Sequence, residues 1–289
     1  MPYLDEHLAS MGFVVIAADH EDNWSTLFGP KPWQVEFQRP NEVTREIDYA
    51  VNLTAAGGPL TWLIDTDQVG VFGWSGGGET ALVIGGARLD LDNFRAWCDA
   101  NKADGQFPDT DCVDILDHEA ELAALAGLKE TPKGLWPDWS DPRVDAVIGL
   151  AAGGVAEGGL LSTASLQRVH VPTLLLIGSG DTAVGPTYRS FQPYQKLAAE
   201  RKAEVVFANA EHMLFFVPCK DAPAVVTLGF PMFCSDPVWD MDRAHDLVNH
   251  FVTAFLLAEL KGDAEAAKAL APENVAFPRI QYETTEFGK

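Results

Sequence analysis

Five short apolar runs punctuate this chain, at 13 to 18, 68 to 73, 144 to 151, 172 to 178 and 203 to 208. Each is rich in β-branched and aliphatic residues over a length typical of a strand. The run Val171-Pro172-Thr173-Leu174-Leu175-Leu176-Ile177 has no polar alternation, as expected of a strand covered on both faces. Between them, apolar residues return every three or four positions at 40 to 56, 76 to 86, 188 to 201 and 241 to 260, the spacing of helices with one buried face. A further helix from Tyr3 to Ser10 stops at Gly12. Strands alternating with helices predict an α/β fold: a mostly parallel central sheet with helices on both faces.

The length of 289 residues, 47% of them apolar, suits one large domain spanning 1 to 289. The segment 88 to 140 breaks the alternation and is expected to form an inserted cap beside the site, or an excursion without a role there.

Chemistry enters at the second run. Val69 to Phe72 leads into Gly73-Trp74-Ser75-Gly76-Gly77, and helix-compatible residues resume at Glu79. A strand, a glycine-packed turn with serine at its apex, and a helix make a nucleophile elbow, G-x-S-x-G. A serine alcohol is a poor nucleophile at neutral pH, so it needs exposure, a base within reach and amide donors for the developing oxyanion. The plainer reading is a structural serine in a tight turn.

A base and an acid are expected after the elbow in chain order. The fourth run ends at Gly178-Ser179-Gly180-Asp181, and the fifth breaks at Asn209-Ala210-Glu211 before His212. Both residues are thus delivered to the carboxyl ends of strands, where functional groups of open α/β sheets gather. Among the histidines, only His212, His245 and His250 follow Asp181, and the last two fall within a helical pattern. Asp181 is alternatively a helix N-cap or an Asx turn, and Glu211 is a second candidate acid.

These residues, in the order Ser75, Asp181, His212, resemble the α/β-hydrolase superfamily. The resemblance also rests on Asp141-Pro142-Arg143-Val144-Asp145-Ala146-Val147, the Pro172 to Gly178 strand and Glu211-His212-Met213-Leu214-Phe215-Phe216. It is similar to the exported bacterial dienelactone-hydrolase-like branch, which also resembles platelet-activating-factor acetylhydrolases and bacterial cutinase-type polyesterases. It covers nearly the whole chain, most weakly from Arg88 to Ser140. It implies Ser75 as nucleophile, His212 as base, Asp181 as acid and the Gly76 amide as half of an oxyanion hole, with no cofactor and no metal. The implied activity is hydrolysis of short-chain, lipid-like, aromatic or polymeric esters through an acyl-serine. A peptidase, a thioesterase or a catalytically impaired binding protein would share the frame. The resemblance further implies strands and a His-Gly loop ahead of the helix at Tyr3 to Ser10. This chain begins in that helix, so the expectation is a longer gene, or a shortened sheet with its second oxyanion donor from elsewhere, such as the loop His20 to Trp24.

Charge and cysteines narrow the setting. Forty-two acidic against 20 basic residues give a formal net charge of −22, which disfavours nucleic acid and anionic membrane surfaces as partners. No apolar run is long enough to span a membrane. Cys98 with Cys112 and Cys219 with Cys234 form two short pairs without metal-ligand spacing. Two local disulfides, each worth on the order of 3 kcal/mol in the chain-entropy model, predict a secreted or periplasmic protein. Four buried free thiols are the alternative. Trp24, Trp74, Met213 and Phe215 are the expected substrate contacts, with core packing the other reading for the last three. Trp33, Trp136 and Trp139 are expected at the rim of the site.

Overall fold

The computed structural model describes residues 1–20, 32–101, 110–155, 158–184, 191–285 and 287. Its centre is a five-stranded sheet of β1 (Val69–Trp74), β2 (Val144–Leu150), β3 (Thr173–Gly178), β4 (Lys202–Phe207) and β5 (Ile280–Thr284). The strands lie in sequence order, β1 to β4 parallel and β5 antiparallel along β4. Around it pack helices α1 (Pro2–Ser10), α2 (Val35–Thr54), α3 (Gly76–Ile84), α4 (Leu91–Asn101), α5 (Thr110–Leu116), α6 (Glu119–Leu125), α7 (Thr163–Leu166), α8 (Pro193–Lys196), α9 (Pro223–Thr227), α10 (Met241–Lys261) and α11 (Ala264–Ala269). This is the α/β arrangement with a mostly parallel sheet that the periodicity predicts.

Two glycines of β1 show that the sheet is covered on both faces. A Cβ at Gly70 would meet Leu256 and Leu260 of α10, whereas a Cβ at Gly73 would meet the backbone of Gly77 in α3. Residues an odd number apart on a strand point to opposite faces, so α10 and α3 flank the sheet from opposite sides. Helix α3 carries little polarity and is buried from Gly78 to Ile84, as expected of a helix pressed between sheet and neighbours. Helix α10 is long and amphipathic. It opens on an Asp240 side chain accepting from the Arg243 amide at 2.9 Å and closes on left-handed Gly262.

The Asp141 to Asp145 motif anchors the amino ends of the strands. Arg143 binds Asp141 and reaches Asp48 of α2 at 2.7 Å, while Asp145 accepts from the Val69 amide at 2.9 Å. Those contacts fix the start of β1 against β2, remote from the carboxyl ends.

Three expectations change. Residues 13 to 18 form no strand: Val14 is 55% exposed and the segment joins no ladder. An apolar run makes a strand only when a neighbour offers a free edge in register, and β1 here pairs with β2 alone. The helix predicted from 188 to 201 reduces to α8 within the described residues, because Gln192 adopts a left-handed φ of +52°, Pro193 restarts the helix and Leu197 turns extended. Helix α2 begins at Val35 rather than near Pro40, which is accommodated inside it. The sheet also gains β5, whose alternation Ile280-Gln281-Tyr282-Glu283-Thr284 places half-buried residues at every second position.

The excursion from 88 to 140 contains α4, α5 and α6, with the Cys98–Cys112 disulfide joining α4 to α5. Trp136 is fully buried edge-on to Phe37 of α2, and Trp33 is buried against His118. Both tryptophans are core residues, which corrects their expected place at the rim. The second disulfide, Cys219–Cys234, closes the loop after His212. No helix among the described residues is long and apolar enough to cross a membrane.

Candidate active site

The site is assembled where β1, β3 and β4 end. Ser75 follows the last residue of β1 and takes φ +56° and ψ −122°, a conformation disfavoured for any residue with a Cβ. Such a residue costs on the order of 1–3 kcal/mol and persists only when its surroundings hold it. Two backbone bonds do so: the Ser75 amide donates to Leu150 O at 2.9 Å, and Gly153 N donates to Ser75 O at 2.9 Å. Ala151 and Asn209, just past β2 and β4, also have positive φ. Positive-φ residues therefore collect at the carboxyl ends of β1, β2 and β4, the end of the sheet where functional sites store strain.

Asp181 sits three residues past β3 and His212 five past β4, and their loops are joined. Gly180 N donates to Ala210 O at 2.8 Å, and Asn209 N donates to Ser179 Oγ at 2.7 Å. A Cβ at Gly178 would lie 2.3 Å from Ala210 O, so only glycine allows that approach.

The three side chains form one hydrogen-bonded line. His212 Nδ1 lies 2.7 Å from Asp181 Oδ2, and His212 Nε2 lies 2.9 Å from Ser75 Oγ. A carboxylate accepts, so the imidazole proton belongs on Nδ1, leaving Nε2 to receive the Ser75 hydroxyl. The Asp181 side chain is only 1% exposed, and its other oxygen accepts from the amides of Ala183 at 2.8 Å and Val184 at 3.2 Å. The Asx turn and the contact with His212 are thus not alternatives; one carboxylate makes both. Glu211 is exposed, and its amide donates to Asp236 Oδ2 at 2.7 Å.

The turn carrying His212, a 3-10 helix from His212 to Phe215, is braced from beneath. His245 of α10 contacts Leu214 O through Nε2 at 3.0 Å, and Tyr3 donates its hydroxyl to Phe215 O at 3.2 Å. The two rings stack at 3.7 Å. Neither residue stands out in the sequence as part of the site, because the distance along the chain is large and only α1 packing on α10 joins them. Burial lowers the pKa of His245 below its ordinary 6.5. The unfolded imidazole then takes up its proton first on acidification, so native stability should fall as pH drops below about 6.5. Thermal melts between pH 7.5 and 5.5 should show this decline, with a shallower slope in His245→Gln.

Trp74 packs beside the imidazole, with ring centroids 4.9 Å apart, and donates from Nε1 to His212 O at 3.2 Å. Phe216 follows at 5.2 Å from the Trp74 ring. Met213 is half-buried, whereas Phe215 has no exposed surface and is a core residue set edge-on to Phe207 rather than a pocket wall. Trp24 lies outside the described residues, as do 21 to 24 of the loop proposed to supply a second oxyanion donor. His20, at the near end of that loop, pairs with Glu42 at 2.6 Å.

The Gly76 amide opens α3, and first-turn amides of a helix have no intrahelical acceptor. It is positioned with the positive end of the helix dipole beside Ser75. Sequence reasoning missed the segment Ala151 to Gly154. This segment binds the elbow through Gly153 and leaves room at Gly154, φ +65°, for the buried Glu79 carboxylate, 2.7 Å from where a Cβ would stand. Two adjacent glycines, Gly153 and Gly154, soon after a buried strand were the available signal.

The chain matches no protein-family model, and no curated protein matches it significantly.

Proposed function

We propose that this protein is a serine carboxylic ester hydrolase with an α/β-hydrolase fold, exported from the cytosol, and that it works through an acyl-enzyme. The observation carrying this reading is the Asp181–His212–Ser75 line, with bonds of 2.7 and 2.9 Å converging on a serine held in a strained strand-to-helix turn. In the first half-reaction Ser75 Oγ attacks the ester carbonyl while His212 Nε2 takes its proton. The carbonyl oxygen becomes an oxyanion facing the Gly76 amide. Collapse of the tetrahedral intermediate breaks the bond to the alcohol, which leaves with the proton from His212. A water then repeats the sequence on the acyl-serine, releasing the acid and restoring Ser75. Asp181 holds the imidazole in the required tautomer and stabilises its protonated form. The two disulfides support an oxidising compartment.

Turnover of p-nitrophenyl esters across acyl lengths, with a phosphonate as covalent probe of Ser75, tests the proposal. A burst of nitrophenol followed by steady turnover, and a single adduct on Ser75, are expected. Preferential turnover of acyl thioesters or peptides would replace the ester reading with one of its rivals. Absence of both adduct and turnover would remove the enzymatic reading altogether.

A further inference from the structure

We infer that the disulfide-closed loop from Cys219 to Cys234 docks the protein onto the surface of a neutral, water-insoluble ester, presented as a droplet rather than as single molecules in water. This rests on the esterase reading of the adjacent site and names the class of substrate presentation it serves. The loop is uncharged and apolar along most of its length. Twelve consecutive residues, Ala222 to Phe233, carry no charge in a chain of net charge −22. None of the residues of α9 or of the 3-10 turn Pro231–Phe233 is buried. Leu228 is 71% exposed, and Phe230, Met232 and Phe233 are each about half exposed, with the two phenylalanine rings 6.0 Å apart. Contiguous exposed apolar side chains of this kind mark an interaction surface.

Its position ties the loop to the site. Cys219 is three residues beyond Phe216, which packs on Trp74 beside His212, so the loop base is at most roughly 11 Å of chain from Phe216. At the other end Asp236, two residues past Cys234, accepts from the amide of Glu211, the neighbour of His212. Both stems therefore rise from the histidine turn. Between the two cysteines no residue from 220 to 233 is buried, so this stretch gains little from core packing, and the disulfide supplies the order that burial does not.

The chemistry of the loop selects the occupant. Thr227 is the one side chain with a hydrogen-bonding group between Ala222 and Phe233, and its hydroxyl donates internally to Pro223 O at 2.9 Å. The surface thus offers neither charge nor directional hydrogen bonds, which a specific protein partner would use for register. What remains is non-directional burial of apolar area, suited to acyl chains at a fluid interface. The strong negative charge around it disfavours anionic lipid, leaving an uncharged ester phase.

The test uses a tributyrin emulsion, soluble p-nitrophenyl butyrate and the triple variant Phe230→Ser/Met232→Ser/Phe233→Ser. Wild type and Ser75→Ala should both float with the droplets on centrifugation. The triple variant should not float, and its rate on the emulsion should fall at least 10-fold while its rate on the soluble ester stays within twofold. Leu228→Ser repeats the test with one change should the triple variant melt early. Trp62→Ser/Leu63→Ser alters exposed apolar residues ahead of β1, at the opposite end of the sheet, and should behave as wild type. Equal flotation of wild type and triple variant, preference for phosphatidylcholine vesicles over tributyrin, or dimeric wild type beside monomeric variant would each overturn the proposal. Flotation that depends on the loop in a protein hydrolysing neither ester would uphold the docking surface and overturn the esterase reading instead.

Discussion

Ser75→Ala should lower ester kcat by on the order of 10⁶, to the level of the remaining binding and oxyanion contacts. The substitution removes one oxygen and keeps the Cβ, so the φ of +56° is as strained as before and the fold should be retained. His212→Ala should cost nearly as much, because the nucleophile and its base act as one unit and the loss of either disables both. Asp181→Asn is expected to reduce kcat about 10⁴-fold, since an amide can donate to Nδ1 and stabilise the wrong tautomer. Burst kinetics of p-nitrophenyl butyrate separate these cases. A Ser75→Ala protein with an undiminished burst would show that another group is acylated. A deeper loss in His245→Ala than in His212→Ala would place the base elsewhere. His245 bears on this turn through the carbonyl of Leu214, so its removal should perturb stability before chemistry.

The second large effect separates the two glycines of the elbow. A Cβ at Gly73 would stand 2.3 Å from the Gly77 carbonyl carbon and oxygen, whereas a Cβ at Gly77 meets nothing within 4 Å. Gly73→Ala must therefore push β1 and α3 apart at the point that sets the position of Ser75. Overpacking of this kind costs about 1–3 kcal/mol, and a displacement of about 1 Å in a catalytic group costs on the order of 10² in rate. We expect a lower melting temperature together with at least that loss in kcat. Gly77→Ala should leave both close to wild type, because the methyl group enters open space. If the two variants proved equally damaging, close backbone packing would not be what makes the first glycine necessary, and the conformational demand of the turn would be the better account.

Much of the fold was legible because it depends on local periodicity. The runs at 68 to 73, 144 to 151, 172 to 178 and 203 to 208 correspond to β1 through β4, and the helical patterns at 76 to 86 and 241 to 260 to α3 and α10. The stretch at 13 to 18 has the same local character, yet a strand exists only through its partner, and this segment has none among the described residues. Strand β5 shows the converse. Its five alternating residues are too polar to signal burial, and pairing with β4 gives them their conformation.

Chain order and strand ends were enough to single out Ser75, Asp181 and His212, and the short cysteine spacings enough to pair Cys98 with Cys112 and Cys219 with Cys234. Those features are set by position along the chain, and a parallel sheet converts position into proximity at its carboxyl end. The remaining decisions belonged to the tertiary structure. Whether Phe215 or Phe216 packs on Trp74 beside the imidazole, whether Trp136 rims the site or fills the core, and which elbow glycine is indispensable depend on contacts between segments distant in sequence. So does the bracing of the histidine turn by Tyr3 and His245, 242 positions apart. Periodicity specifies which residues turn inward, but not which partner they meet there, because burial is non-directional and packing is specific.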